Sequence, residues 1–144
     1  MVDRYCLDSN IVSDILRGRE DVIGQLNKAL DSGQELFISS IVYYELTRGM
    51  KSSKAFRKLE QFHYLYQGAA HLFLDRDSME AIDKAADIYA QLHKGRQIED
   101  NDIYIAAVAM INHCTLVTAN TRHFERIEGL HLVNWRMTEG DRAG

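Results

Sequence analysis

Proline is absent from this chain of 144 residues, and cysteine occurs only twice. Without proline, no helix or strand is interrupted by a residue lacking a backbone N–H, and no Pro-rich linker divides the chain. Cys6 and Cys114 are too few and too far apart for a zinc knuckle or a disulfide framework. Because both lie in apolar segments, we interpret them as reduced thiols of the core.

Long apolar runs and an excess of basic residues are also missing. No run approaches the roughly 20 residues that cross a bilayer, and Asp3 and Arg4 precede any secretory apolar region. The net charge is −4, from 17 basic and 21 acidic residues, which argues against binding nucleic acid through bulk charge alone. We therefore expect a cytoplasmic protein of ordinary globular composition.

Short apolar strands alternate with amphipathic helices along the chain. This alternation predicts βαβ units, and therefore an α/β domain with a mostly parallel sheet. Residues 1–137 are predicted to form one domain, followed by a polar tail at 138–144. The predicted strands are 4–7, 36–39, 71–74, 116–118 and 130–133, and the predicted helices run from 10 to a stop at Gly18, from 21 to a stop at Gly33, and over 41–50, 53–66, 77–94 and 102–113.

Three acids occur where predicted strands end or helices begin. Asp8 follows the first strand, Glu45 lies one turn into the helix after the second, and Asp102 precedes a long apolar helix. In an open α/β sheet, ligands bind at the carboxyl ends of the strands. Three carboxylates gathered there would repel one another, and a hard divalent cation such as Mg²⁺ relieves that repulsion. The pattern therefore predicts a metal centre.

Each of these acids also has a simpler structural explanation. Asp8 and the two residues after it are all good helix N-caps, and Asp102 is favoured at a helix start by the macrodipole. Glu45 could face solvent and pair with Arg48. However, one helix start does not require three capping residues, and an acid on the apolar side of a helix is costly to bury without a cation. For Asp8 both interpretations stay open.

Two further segments are candidates for a functional role. After the fourth strand, Asn120 is either a turn residue or a ligand to metal-bound water, and His123 is a weaker candidate because a lone histidine is usually structural. Between Leu46 and Leu59 the chain has no acid, and its cations are candidates for contacts with phosphates, or else form a solvated helix surface. These candidates for RNA contact are Arg48, Lys51, Lys54 and Arg57.

The order and spacing of these segments resemble the PIN domain. The matching segments are LDSN at 7–10, Glu45, DIYIAA at 102–107 and LVTAN at 116–120, and residues 124–135 resemble its VapC toxin branch. The resemblance covers residues 4–135. It implies a five-stranded parallel sheet with helices on both faces, and a Mg²⁺- or Mn²⁺-dependent endoribonuclease. It also implies a VapB-like antitoxin partner, a homodimer, and a structured RNA substrate such as tRNA.

The resemblance also implies roles by position. Asp8, Glu45 and Asp102 would be the metal-binding acids, supported by Ser9 or Asn10. Asn120 matches a polar position that is common in the VapC branch.

One position departs from the family pattern. Many relatives carry a fourth acid where this chain has His123, so a second metal would be held weakly or through water. Hydrolysis would use a metal-activated water, with no protein nucleophile, and His123 could assist proton transfer.

Other functions remain to be distinguished from a ribonuclease. The altered fourth position is compatible with a non-catalytic PIN-like module that binds RNA or protein. Cleavage of DNA is also open, because the same acids serve either nucleic acid. A metal-dependent phosphatase or a phosphoacceptor receiver also uses acids at strand ends, but a receiver would need a lysine after the last strand, where this chain has Trp135 and Arg136.

Overall fold

The computed structural model describes residues 3–69, 71–72, 79–92 and 98–137. These residues form strands and helices in alternation. The strands are β1 (Arg4–Leu7), β2 (Glu35–Ile38), β3 (His71–Leu72), β4 (Thr115–Val117) and β5 (Leu132–Val133), and the helices are α1 (Ser9–Leu16), α2 (Glu20–Asp31), α3 (Ser40–Ser52), α4 (Phe56–Ala69), α5 (Met79–Gln91), α6 (Asp100–Ile111) and α7 (Thr121–Phe124).

The strands form one parallel sheet in the order β3-β2-β1-β4-β5. In a strand, neighbouring side chains point to opposite faces. Cys6 and Leu7 of β1 are 0% and 1% exposed, and three successive residues of β2 are also buried. Both faces of the sheet are therefore covered by helices, which confirms the predicted α/β fold. Cys114 is buried as well, as expected for a core thiol.

The strand order reverses at the centre of the sheet. From β1 the chain continues to β2 and β3 on one side, and it later places β4 and β5 on the other side. The crevice between β1 and β4 is thus the topological switch point, where open α/β sheets bind ligands. Leu7 pairs with Val117 in this register, so the residues that follow these strands, Asp8 and Thr118, emerge side by side.

Helix α6 anchors this side of the sheet. Its side chains Ile103 and Ile105 and residues 106–109 are all buried, and it packs closely against α5. A helix that is apolar on most of its surface must be enclosed on most sides. Among the helices described, none has the length and hydropathy needed to cross a membrane.

Several element boundaries differ from the sequence prediction. The helix predicted at 53–66 begins at Phe56, because the Ser53 hydroxyl donates to the Gly49 carbonyl at 2.9 Å and Lys54 has φ 57°, which ends α3. The strand β5 begins at Leu132 rather than at 130, and the short helix α7 was not predicted. Residues 73–78, 93–97 and 138–144 of the predicted elements and tail lie outside the described residues.

The last described residues form hydrogen bonds with side chains of α1 and α2. Arg136 donates from Nε and one terminal nitrogen to the two carboxylate oxygens of Asp14, at 2.6 and 3.0 Å. Asp14 is 3% exposed. The Met137 N–H donates to Asp21 at 2.8 Å. A bidentate pair of this kind is stronger than a surface ion pair because one partner is shielded from water.

Removing the cation of this pair should destabilise the fold. We expect Arg136→Gln to lower the free energy of unfolding by about 2 to 3 kcal/mol, since it leaves a buried carboxylate without its bidentate partner. Urea unfolding at pH 7 measures the change. The double variant Asp14→Asn/Arg136→Gln should recover part of the loss, and an equal loss in the single and double variants would contradict this account.

Candidate active site

Asp8 both caps a helix and faces the neighbouring strand. It is the N-cap of α1, and its Oδ1 accepts a hydrogen bond from the Ser9 N–H at 2.8 Å. Its Oδ2 accepts one from the Thr118 hydroxyl at 2.8 Å. The residue is 4% exposed. Asp8 therefore caps α1 with one carboxylate oxygen, as the first interpretation predicts, and its role as a metal ligand stays a prediction.

Asn10 and Thr118 hold the Asp8 carboxylate across the β1–β4 crevice. Asn10 Nδ2 lies 3.5 Å from Asp8 Oδ2 and 3.4 Å from Thr118 Oγ1, while its Oδ1 accepts from the Ala119 N–H at 3.2 Å. Thr118, which is 0% exposed, was not singled out from the sequence. The available signal was its position directly after β4, next to the central strand.

Glu45 projects into the site from α3. Ser39 is the N-cap of this helix, and its hydroxyl accepts from the Val42 N–H at 3.2 Å, so Glu45 lies just over one turn inside. Its Oε2 accepts from Asn101 Nδ2 at 3.4 Å. Its Oε1 is buried without a geometrically good hydrogen bond among the described residues, although the nearby Ser9 side chain lowers the pKa of Glu45. Asn101 is a further site residue that the sequence analysis missed, although it directly precedes Asp102.

Asp102 lies in the first turn of α6, which begins two residues earlier than predicted. Glu99 occupies the N-cap position without a side-chain cap bond. Asp102 Oδ2 lies 3.0 Å from Nε2 of His123, and each side chain is 25% exposed. The short helix α7 thus brings His123 to the edge of the site. Asn120 is exposed; its backbone N–H donates to the Thr118 hydroxyl at 3.0 Å, and its carbonyl accepts from the His123 N–H at 3.1 Å.

Burial and mutual repulsion raise the pKa of all three carboxyl groups. Burial is the largest cause for each. Asp102 further raises the pKa of Asp8, Asp8 raises that of Glu45, and Glu45 raises that of Asp102, while hydrogen bonds from Thr118 to Asp8 and from His123 to Asp102 act in the opposite direction. Asp8, Glu45 and Asp102 therefore form one electrostatic unit, here called the acid cluster.

The acid cluster offers the donor atoms that a hard cation prefers. It supplies carboxylate oxygens, including the buried Oε1 of Glu45. Within the part of the chain that is described, no three His, Cys, Asp or Glu side chains already form a set of direct ligands for one ion. Magnesium keeps several of its waters and needs only one or two protein carboxylates, so the arrangement fits an ion held partly through water.

A groove of about 350 Å³ opens beside the acid cluster, between α1, α3 and α4. Ser9 and Glu45 belong both to this groove and to the site. Its walls carry apolar side chains and the cations Arg17 and Lys58. The complete lining is Ser9, Ser13, Leu16, Arg17, Glu45, Leu46, Gly49, Met50, Ser53, Ala55 and Lys58.

The four cations predicted to contact RNA are exposed on α3, on α4 and in the turn between them. Arg48 interacts with the site itself, because its charge lowers the pKa of Glu45. Its guanidinium carbon also lies 5.0 Å from the centre of the Tyr44 ring. Of the others, Lys51 lies near the end of α3, Lys54 in the turn and Arg57 at the start of α4.

The profile of the PIN domain matches residues 5–130. This chain belongs to the PIN-domain family. Ribonuclease VapC2 of Rickettsia felis is 36% identical to it over 139 residues, which is 91% of this chain and 97% of the relative. Ribonuclease VapC19 of Mycobacterium tuberculosis is 30% identical over 118 residues, which is 82% of this chain and 90% of the relative.

Solved structures of the same family have this PIN fold. The chain superposes with a TM-score of 0.81 on VapBC2 from Rickettsia felis bound to a DNA fragment from its promoter, at 28% identity, over 92% of this chain and 99% of the other. For DNA-bound VapBC from Salmonella typhimurium the TM-score is 0.78, at 28% identity, over 94% and 100%. These similarities confirm the predicted place of this PIN domain in the VapC branch.

The raised pKa of Asp8 predicts that its charge opposes folding. When the pKa of a carboxyl group is higher in the folded than in the unfolded chain, ionising that group destabilises the fold. The folded protein then loses stability as the pH rises from the ordinary pKa of 3.8 through the raised pKa of the folded state. We therefore expect Asp8→Asn to raise the melting temperature at pH 7 in EDTA. The gain should vanish toward pH 3, where the wild-type carboxyl is already protonated.

Thermal unfolding between pH 3 and pH 8 tests this expectation. Asp83→Asn, on the exposed face of α5, is the matched control and should leave the melting temperature unchanged. An Asp8→Asn protein that is less stable than wild type at pH 7 would show that the hydrogen bonds of the carboxylate outweigh its burial cost.

Proposed function

We propose that this PIN domain is a metal-dependent endoribonuclease, the toxin of a toxin–antitoxin pair, and that it cleaves structured RNA such as tRNA. The observation that carries the proposal is the acid cluster, assembled beside the β1–β4 switch point from residues of three separate helices. Membership of the VapC branch supports the ribonuclease assignment, since the relatives are named ribonucleases. The exposed cations of α3 and α4 support a polyanionic substrate.

In this proposal, Asp8, Glu45 and Asp102 hold Mg²⁺ or Mn²⁺, directly or through water. When bound, such an ion lowers the pKa of a coordinated water and stabilises charge on the phosphoryl oxygens. The protein residues then have positioning roles. Thr118 and Asn10 fix Oδ2 of Asp8, and Asn101 orients Glu45.

His123 occupies the position of the fourth acid without supplying a negative charge. Its Nε2 lies 3.0 Å from Asp102, and a quarter of its side chain is exposed. The imidazole therefore orients Asp102 and is placed to exchange a proton with water or with the leaving group. Ser9 supports the site through its backbone N–H to Asp8, and Asn120 keeps the weaker role predicted from its position after β4.

Cleavage assays of tRNA and of a generic single-stranded RNA, in Mg²⁺, Mn²⁺ or EDTA, test the proposed reaction. We expect cleavage in either metal and none in EDTA. Asp8→Asn should lower the rate by roughly 100-fold or more, because it removes one of the charges that holds the cation at the scissile phosphate. Asp83→Asn should cleave like wild type.

The outcome of this assay separates a nuclease from a binding module. Undiminished cleavage by folded Asp8→Asn protein would refute the acid cluster as the catalytic centre. No cleavage by folded wild type in either metal, with RNA binding retained, would favour the non-catalytic PIN-like module.

We also propose a VapB-like antitoxin as the partner and the groove between α1, α3 and α4 as the place where part of it binds. Both VapC-like neighbours described above are VapBC complexes. The groove combines apolar walls with Arg17 and Lys58, and it borders Glu45. An amphipathic antitoxin segment with an acidic residue fits this lining, and would cover the acid cluster.

A homodimer belongs to the same proposal. On α5, Met79, Ile82 and Tyr89 are 67%, 42% and 54% exposed. Their spacing of three and seven residues places them on one side of the helix. This apolar stripe is a candidate surface for a second copy.

Filling the groove should block the antitoxin. An added Cβ at Gly49 meets no atom within 4 Å, and the same is true of Gly24 on α2, which does not line the groove. We expect Gly49→Leu to weaken binding of a co-expressed VapB-type antitoxin by about tenfold or more, the cost of a blocked contact. Gly24→Leu should bind normally.

Both substitutions replace a helical glycine, so both should stabilise their helices by up to about 1 kcal/mol. Reduced binding by Gly49→Leu therefore cannot be ascribed to unfolding. Titration with purified antitoxin gives the affinities, and equal affinities for the two variants would place the antitoxin elsewhere.

A further inference from the structure

An exposed aromatic ring lies on α3, the helix that carries Glu45 of the acid cluster. Tyr44 immediately precedes Glu45 on α3, and it is 54% exposed. The guanidinium carbon of Arg48 lies 5.0 Å from the centre of its ring. Single exposed tyrosines are ordinary on protein surfaces, so exposure alone says little. The position beside Glu45 and the stacked cation distinguish this one.

Arg48 connects the ring to the acid cluster. It lies four residues after Tyr44 and three after Glu45, and residues with these spacings are neighbours on a helix surface. Its charge lowers the pKa of Glu45, as expected from this proximity. Arg48 is therefore the neighbour that the ring and the carboxylate share on α3, since Tyr44 and Glu45, being adjacent in sequence, do not face each other.

The ring and the guanidinium are both partly open. More than half of Tyr44 remains accessible although the cation covers part of the ring, and Arg48 is itself exposed. An aromatic face stacks on a nucleobase of any sequence, and a guanidinium donates to phosphate oxygens in a fixed, planar geometry. Placed together beside a candidate nuclease centre, they match one nucleotide of a single strand.

We propose that Tyr44 and Arg48 form a subsite that holds an unpaired nucleotide next to the bond that is cut, with the base stacked on Tyr44 and the phosphate on Arg48. The inference rests on the proposed ribonuclease function and narrows its substrate. Bases in a duplex are stacked on each other and unavailable, whereas those of a loop are free to be splayed onto a protein aromatic ring. The substrate is thus an RNA that is unpaired at the cleavage site.

Binding of a fluorescent RNA hairpin tests the subsite apart from catalysis. The probe carries 2-aminopurine beside the cleaved bond, as mapped with wild type, and the protein carries Asp8→Asn so that it does not cut. We expect quenching of 2-aminopurine on binding, because the base stacks. Adding Tyr44→Leu should abolish the quenching and weaken binding by about tenfold or more. Tyr44→Phe should retain both.

Two further variants provide the controls. Tyr64→Leu removes an even more exposed tyrosine, 82% accessible on α4, and should leave affinity and quenching unchanged. Arg48→Gln should reduce the slope of log Kd against log salt concentration by about 0.7, the value for one phosphate contact with a single strand. In chains that keep Asp8, Tyr44→Leu should raise KM more than it lowers kcat.

The outcomes separate this inference from the proposed function. If Tyr44→Leu binds and quenches like Tyr64→Leu while Asp8→Asn still abolishes cleavage, the subsite is refuted and the nuclease stands. Unchanged RNA binding with an altered oligomeric state would assign Tyr44 to a protein interface and also refute the subsite. If wild type cuts no RNA in either metal, so that no cleaved bond is mapped, but 2-aminopurine in a hairpin loop is quenched by wild type and not by Tyr44→Leu, the nucleotide subsite stands and the nuclease fails.

Discussion

The parallel pairing of β1 with β4 is the contact on which the site depends. It aligns Leu7 with Val117, and the Asp8 N–H extends the pairing by donating to the Val117 carbonyl at 2.9 Å. The next side chains, Asp8 and Thr118, then meet through a 2.8 Å hydrogen bond. Because these residues are 110 positions apart in the chain, a shift of register by one residue would turn one of them to the opposite face.

The acid cluster destabilises the fold locally, and the packing of the rest of the domain offsets this. Burial and repulsion raise the pKa of each carboxyl group, so the charged site opposes folding at neutral pH. The apolar helix α6, buried along most of its length, holds Asp102 in place. Sites that need such unfavourable groupings are commonly functional, because a ligand of opposite charge relieves them only when it binds.

Much of the fold was predictable because the spacing of apolar residues along the chain indicates each strand and helix. Apolar periodicity located the strands and most helices, and the alternation of the two indicated a parallel sheet. Prediction failed where a pattern was too short or was overridden. Helix α7 is a single turn, so it shows no periodicity. The turn at Ser53 and Lys54 separates two helices without the proline or glycine that usually marks such a break. The acids were predictable because Asp8 follows an apolar strand, Glu45 lies among apolar residues of a helix, and Asp102 precedes an apolar helix.

By itself, the sequence determined the fold class, the order of the elements and membership of the PIN-domain family, because residue type and spacing act locally along the chain. Only the tertiary structure decided which polar groups meet. It paired His123 with Asp102, placed Asn101 beside Glu45 and left one Glu45 oxygen buried without a geometrically good hydrogen bond among the described residues. It also opened the groove beside Glu45. These encounters join residues far apart in the chain, and they depend on strand register and helix packing, which no local pattern encodes.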